Sequence, residues 1–361
     1  NNGTWADVKS ERLNFAEFVG GLTNEQLAYL CIGNYRDPKE GQSVMEVIGN
    51  ASSHMAGAAG ETTGRLAEPG VPALTMPDGP AGLRLSTEYV LRDNNAVSLY
   101  SSLEPSVRKE TAPDETVYYQ YCVAIPIGTA LAQSWNPEIA RVCGSLVGEE
   151  MELFGANLWL APAMNIYRSP LCGRNFEYYA EDPLVAGLTA AAVTTGVQSH
   201  RGCATTIKHY CCNNQETNRM HSNSILSERA LREIYLRGFA LCVRASQPHC
   251  VMSSYNLING EHSNCRRCIQ TSVLRDEWGF EGFVMTDWLT TVNLAGSDQK
   301  HGTASPAGCI KAGNDMIMPG VPMDFADLMA AVSDPAHPYA LTRAHLQQDA
   351  LRILRIIEKL A

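Results

Sequence analysis

The chain has 361 residues, 45% of them hydrophobic and 18% charged, with a formal net charge of −10. That is ample for one large core, and an α/β barrel of about 250 residues plus insertions fits the length. The acidic balance, with no block of basic residues, argues against nucleic-acid and anionic-membrane partners. The longest apolar stretch, around Gly187–Val197, is broken by threonines and too short to span a bilayer.

The chain opens on Asn1 with no signal-peptide pattern, so it reads as processed or as a piece of something longer. Residues 1–70 read as a helical lead-in, with Thr23 and Gln26 making a capping box ahead of Leu27 and Leu30. Short apolar runs then alternate with helical patterns, as a parallel sheet requires. The predicted strands are Ala73–Asp78, Val123–Gly128, Asn157–Asn165, Cys203–His209, His249–Asn256, Gly282–Asp287 and Asp315–Pro319. Residues 86–120 are polar, hold two prolines and read as an insertion loop after the first strand. After Ser227 a helix is predicted with Leu231, Ile234, Tyr235, Gly238, Leu241 and Cys242 on one stripe. A last helix begins near Thr342 and carries Leu346, Ile353, Leu354, Ile357 and Leu360.

No repeat or linker divides the chain, so residues 1–361 are expected to form one TIM-type (β/α)8 barrel domain with an N-terminal helical extension. Seven strands are identifiable. Either the eighth lies near the C-terminal helix, or the barrel is irregular. Twelve cysteines in a chain this size are not a disulfide scaffold, and Cys203, Cys242 and Cys250 sit in apolar runs as reduced core thiols do. This usage predicts a reducing, cytoplasmic setting.

Polar residues cluster where the predicted strands end: Asp78, Asn165, Lys208 with His209, Tyr255 with Asn256, and Asp287. In a barrel those ends converge on one mouth, where catalytic residues collect. Each has a blander reading. Asp78 before Gly79-Pro80 is good turn chemistry, and Asp287 could cap a following helix. Five such ends on one fold are harder to dismiss. A sugar site wants charged and hydrogen-bonding groups around the ring edge and an aromatic platform beneath it. Trp288 beside Asp287 suits that purpose.

The motifs MPDGPAGLR (76–84), GRNFEYYAEDP (173–183), IKHYCCNNQETNR (207–219), MSSYNLINGE (252–261) and GFVMTDW (282–288) follow one another in the order and spacing of a known family. From about residue 12 to its end, the chain resembles the barrel domain of glycoside hydrolase family 3, of the β-glucosidase type. The resemblance implies a retaining glycosidase that releases a terminal β-linked sugar and needs no cofactor or metal. Asp287 is implied as the nucleophile and Trp288 as the platform. Asp78, Arg174, Lys208, His209 and Tyr255 would hold the sugar hydroxyls, with Met252 as a smaller apolar contact. Lys208 and His209 are expected to share the same hydroxyls, with charge-assisted bonds from both if His209 is protonated. Glu177, Glu181 and Asp182 are implied as braces for the loop carrying Arg174. Arg84 fits either job and is left outside the site.

One departure stands out. Retention needs a second carboxyl as general acid about 5 Å from the nucleophile. Two-domain relatives take it from a sandwich domain, which this chain does not contain. Single-domain relatives use a His-Asp pair, but His221 has no Asp partner between Asp182 and Asp276. The partner implied is therefore a second α/β sandwich domain, on the same original polypeptide or another chain. Glu216 is the internal fallback acid, and a structural pair with Arg219 is the blander reading. Alternatives are a non-catalytic sugar-binding barrel and a Schiff-base lyase using Lys208. Cys265 and Cys268 have C-x-x-C spacing without the second pair a zinc site needs.

Overall fold

The computed structural model of the protein describes residues 3–34, 52, 54–62, 66, 69–100, 106–293 and 300–361. The lead-in is helical through Trp5–Lys9, Phe15–Gly21 and Asn24–Leu30. Thr23 caps the third of these as its sequence demands: Gln26 N–H donates to Thr23 Oγ1 at 3.1 Å, and Thr23 N–H donates to Gln26 Oε1 at 2.8 Å. Residues 35–51 of the lead-in lie outside the described residues.

A parallel sheet forms the centre, in the order Leu158–Trp159, Ala204–Tyr210, Cys250–Ser253 and Phe283–Met285. All seven residues of the Ala204–Tyr210 strand are buried, as expected of a sheet covered on both faces. Hydrogen bonding continues beyond it through a parallel bridge from Met285 to Met316 and another from Ile317 to Ile32. Gly33 then bridges Thr62 antiparallel, and Gly60–Glu61 pairs antiparallel with Thr75–Met76. Leu160 N–H donates to Pro77 O at 2.9 Å, which leads back to the first strand of the central sheet.

Two predicted strands need correction. Val123–Gly128 is irregular and runs into a helix, Gly128–Gln133. Pro126 has no N–H for a ladder, and Val123 is 68% exposed. The Asp315–Pro319 run makes bridges at Met316 and Ile317 without forming a longer strand. The residues missing from the prediction are Ile32–Gly33 and Gly60–Glu61, inside the lead-in and far in sequence from the C-terminal helix.

The insertion is more than a loop. Asn95–Ser98, Glu88–Arg92 and Tyr118–Tyr119 form a three-stranded antiparallel sheet. Its hairpin turns at Asp93 and Asn94, with φ of 50° and 61°, the positive values that a two-residue hairpin favours. Pro105 of this insertion lies outside the described residues.

Helix Pro183–Val197, the longest apolar stretch, packs between Pro137–Phe154 and Arg237–Ser246. Glycines permit the close approach: a Cβ on Gly144 would lie 2.2 Å from Val193 O, and one on Gly196 would lie 2.1 Å from Arg141 O. No described helix is long and apolar enough to cross a membrane.

The helix after Ser227 begins where predicted, with Ala230 N–H donating to Ser227 Oγ at 3.2 Å. A π-turn at Leu231–Tyr235 then adds one residue to the winding. The buried stripe is consequently Leu231, Leu236, Gly238, Phe239, Cys242 and Val243, which keeps Leu231, Gly238 and Cys242 of the predicted one, and Ile234 faces out at 40% exposure. The C-terminal helix, Arg343–Leu360, buries all five of its predicted apolar residues.

Candidate active site

The carboxyl ends of the strands open on a cavity of about 390 Å³. All eight residues singled out from sequence line it: Asp78, Arg174, Lys208, His209, Met252, Tyr255, Asp287 and Trp288.

Asp287 sits two residues beyond the Phe283–Met285 strand and is 8% exposed. Trp288 N–H donates to its Oδ1 at 2.7 Å, and its Oδ2 lies 3.7 Å from His209 Nε2. A turn follows it instead of a helix, so the helix-cap reading fails. Trp288 is fixed at its far edge, where Nε1–H donates to Ala59 O at 2.9 Å. Tyr255 donates its hydroxyl to Trp288 O at 2.8 Å.

Lys208 is 3% exposed, and its Nζ lies 2.6 Å from Asp78 Oδ1. Arg84 Nη2 takes the other Asp78 oxygen, also at 2.6 Å. Burial would raise the Asp78 pKa, but the charges of Lys208 and Arg84 outweigh it and hold the carboxyl at about 2. Asp78 also shapes its turn, since Arg84 N–H donates to Asp78 O at 2.8 Å. The turn-former reading therefore holds, alongside an ion pair that the sequence did not show.

His209 is clamped by Asn165, whose Oδ1 accepts from His209 N–H at 2.8 Å and whose Nδ2–H donates to His209 O at 2.9 Å. Burial, followed by the positive charges of Arg174, Lys208 and Arg219, pushes the imidazole pKa well below its ordinary value. That shift favours the neutral ring, so the condition for a charge-assisted bond from His209 is not supported. Asn256 likewise braces backbone, donating to Cys211 O at 3.2 Å.

Arg174 pairs with the buried Glu177. Burial opposes its charge, while Tyr178, Glu177 and Asp287 favour it and win. Asp182 caps helix Pro183–Val197 by accepting from Leu184 N–H at 2.6 Å. Glu216 pairs with Arg219 at 2.8 Å, the blander of the two readings.

The cavity also takes in Arg84, Phe176, Glu177 and Arg219. Arg219 lies 4.7 Å over the Tyr255 ring. Burial opposes its charge, but Tyr255 and Asp287 favour it. Arg219 and Phe176 stand inside the sequence motifs, yet nothing in their spacing separates them from loop braces. His221 bonds Gly302 O at 2.7 Å away from this lining. Cys265 lies 3.7 Å from Cys309, Cys268 is exposed, and no group of three metal-ligating side chains occurs among the described residues.

A parallel α/β sheet with its charged groups gathered at the strand carboxyl ends defines the class of α/β proteins that bind small polar ligands at that edge. More particularly, residues 117–356 match the profile of the Glycosyl hydrolase family 3 N terminal domain, and the chain belongs to that family. It is 39% identical over 301 residues to Beta-glucosidase A of Butyrivibrio fibrisolvens, covering 82% of this chain and 30% of that protein. It is 35% identical over 353 residues to a Beta-glucosidase of Ruminococcus albus, covering 97% of this chain and 32% of that one. The solved structure of beta-glucosidase 3B from Thermotoga neapolitana in complex with glucose superposes with a TM-score of 0.77 at 38% identity, covering 96% of this chain and 42% of that one. The chain thus spans about a third of the length of the curated relatives it matches.

Proposed function

We propose that this chain is the nucleophile-bearing barrel of a retaining β-glucosidase, built as an irregular eight-strand barrel with one strand reversed. The observation that carries the reading is Asp287, a carboxylate at the floor of a cavity walled by Arg174, Lys208, His209 and Trp288. In this reading Asp287 attacks the anomeric carbon and forms a glycosyl ester. Lys208, Asp78 and Arg174 fix the ring hydroxyls, and Trp288 supports the apolar face.

Neutral His209 serves as a directional donor or acceptor beside Asp287. Its neutrality leaves the nucleophile without an imidazolium that would weaken it. Glu177 and Glu216 are each engaged by an arginine, and Asp78 by Lys208 and Arg84. The general acid is therefore assigned to a second, sandwich domain of the longer protein, which the relatives' greater length supports. The twelve unpaired cysteines support a reducing, cytoplasmic setting. A lyase built on Lys208 fits poorly, because its ammonium is held by Asp78.

A 2-deoxy-2-fluoro glucoside with a good leaving group tests the assignment. Incubated with the protein and its acid-bearing domain, it is expected to leave a label on the peptide containing Asp287. A label on Glu216 or Glu177 overturns the reading.

A further inference from the structure

At the opposite ends of the strands lies a second cavity, of about 590 Å³. His249 and Gly282 lead from it into the Cys250–Ser253 and Phe283–Met285 strands, so it opens away from the mouth. Its wall is cationic. Arg275 comes from the 268–277 helix, and Arg352, Arg355 and Lys359 come from one face of the C-terminal helix. Glu281 is the one carboxylate in the lining.

Two of these cations are already engaged. Asp315 accepts from both Arg275 and Arg352, the latter at 2.7 Å, and Arg352 also reaches Asp349 at 3.0 Å. Burial, followed by the neighbouring Asp315, pushes the Asp349 carboxyl well up. Asp276 contributes only at longer range. Arg355 and Lys359 are exposed, four residues apart, and have no carboxylate within 4.0 Å among the described residues. Like charges at that spacing on a helix repel. The helix dipole accounts for Lys359 in the last turn, but not for Arg355 or for Arg275 on another element. His249 completes the wall, with burial and then Lys359 holding its pKa at about 4.

We propose that this cleft binds a small phosphate-bearing anion. Guanidinium forks match phosphate oxygens in several directions, where a carboxylate offers one plane. Arg352 to Lys359 spans roughly 10 Å of helix, which suits a diphosphate or a phosphate ester better than a single small ion. An ester's organic part can lie on Phe280 and Ile356, which also line the cleft. The proposal is independent of the reading of the mouth.

Calorimetric titration of diphosphate into the protein at low ionic strength, with the His249 ring resonances followed at fixed pH, tests it. Saturable one-site binding and a shift of those resonances are expected. The double substitution Arg355→Gln with Lys359→Gln removes two exposed side chains and should weaken binding at least tenfold, with the circular dichroism spectrum unchanged. Arg141→Gln, on a different helix, should leave binding as it was. Tighter binding of glucose 6-phosphate than of inorganic phosphate supports an ester as occupant, and equal binding supports the free anion. Undiminished binding in the double variant, no saturable diphosphate binding at millimolar concentration, or a preference for citrate over diphosphate each overturns the proposal.

Discussion

Asp78 is the carboxylate that holds the buried Lys208 ammonium, at 2.6 Å. Removing one partner of a buried pair leaves an uncompensated charge and costs about 3–5 kcal/mol. Asp78→Asn should therefore destabilise the protein by that order in a urea titration at neutral pH. A carboxyl whose folded pKa lies below its unfolded one binds fewer protons when folded. The stability Asp78 adds is thus complete above about pH 4 and is lost as pH falls through about 2. The gap between wild type and Asp78→Asn should narrow over that window, and a pH-independent gap would mean the pair is not ionic. Lys208→Ala tests the other role. Each hydrogen bond to a charged group is worth about 1.5–3 kcal/mol, so kcat/KM for an aryl glucoside should drop by about 10- to 10²-fold for each bond lost. A near-normal value would show that Lys208 does not reach substrate.

Among the elements, the glycine-lined helix stack is the least forgiving part of the fold. A Cβ at Gly144 or Gly196 meets backbone carbonyl oxygen, which cannot rotate away. Gly196→Ala should cost about 1–3 kcal/mol by chemical denaturation, although alanine is ordinarily the better helix former. A stabilised variant would mean that the helices can separate at no cost. These contacts were hidden in the sequence, because an apolar run reports burial and not the distance to its neighbour. The helix after Ser227 shows the same limit. Its start was legible from the cap, but a π-turn leaves no periodic trace, so Ile234 was placed on the buried face and Leu236, Phe239 and Val243 were left out, while Gly238 and Cys242 kept their places.

For the whole molecule, five motifs located a cavity that all eight chosen residues line, because four of them end strands, the fifth (173–183) lies on the loop between Leu158–Trp159 and helix Pro183–Val197, and the fold brings these ends together. Ile32–Gly33 and Gly60–Glu61 were missed because two residues cannot display a period, and the Val123–Gly128 run was misread because Pro126 cannot join a ladder and Val123 and Ile127 stay exposed. Arg219 entered only as a structural partner for Glu216, and it is that, but it also lines the cavity. The proposed division of labour between this barrel and an acid-bearing domain has a kinetic signature. An activated aryl glycoside needs no protonation to depart, whereas a disaccharide does, and losing a general acid costs about 10²–10⁴ in rate. The isolated chain should therefore turn over aryl glucosides slowly and cellobiose hardly at all, with the second domain restoring the latter. Ordinary cellobiose hydrolysis by this chain alone would make Glu216 the first residue to mutate.

The π-turn at Leu231–Tyr235 implies an asymmetry in how the gene can change length. An α-helix advances about 100° per residue, so losing one codon from Arg237–Ser246 would rotate Phe239, Cys242 and Val243 out of phase with the residues before the cut. Losing Glu233, which is exposed and sits within the wide turn, would instead let the turn relax to ordinary α winding and leave both flanking stretches facing the core. The protein should keep its cooperative unfolding after deletion of Glu233 and lose it after deletion of Ala240. The wide turn is thus a place where this lineage could have gained a residue without disturbing the rest of the helix.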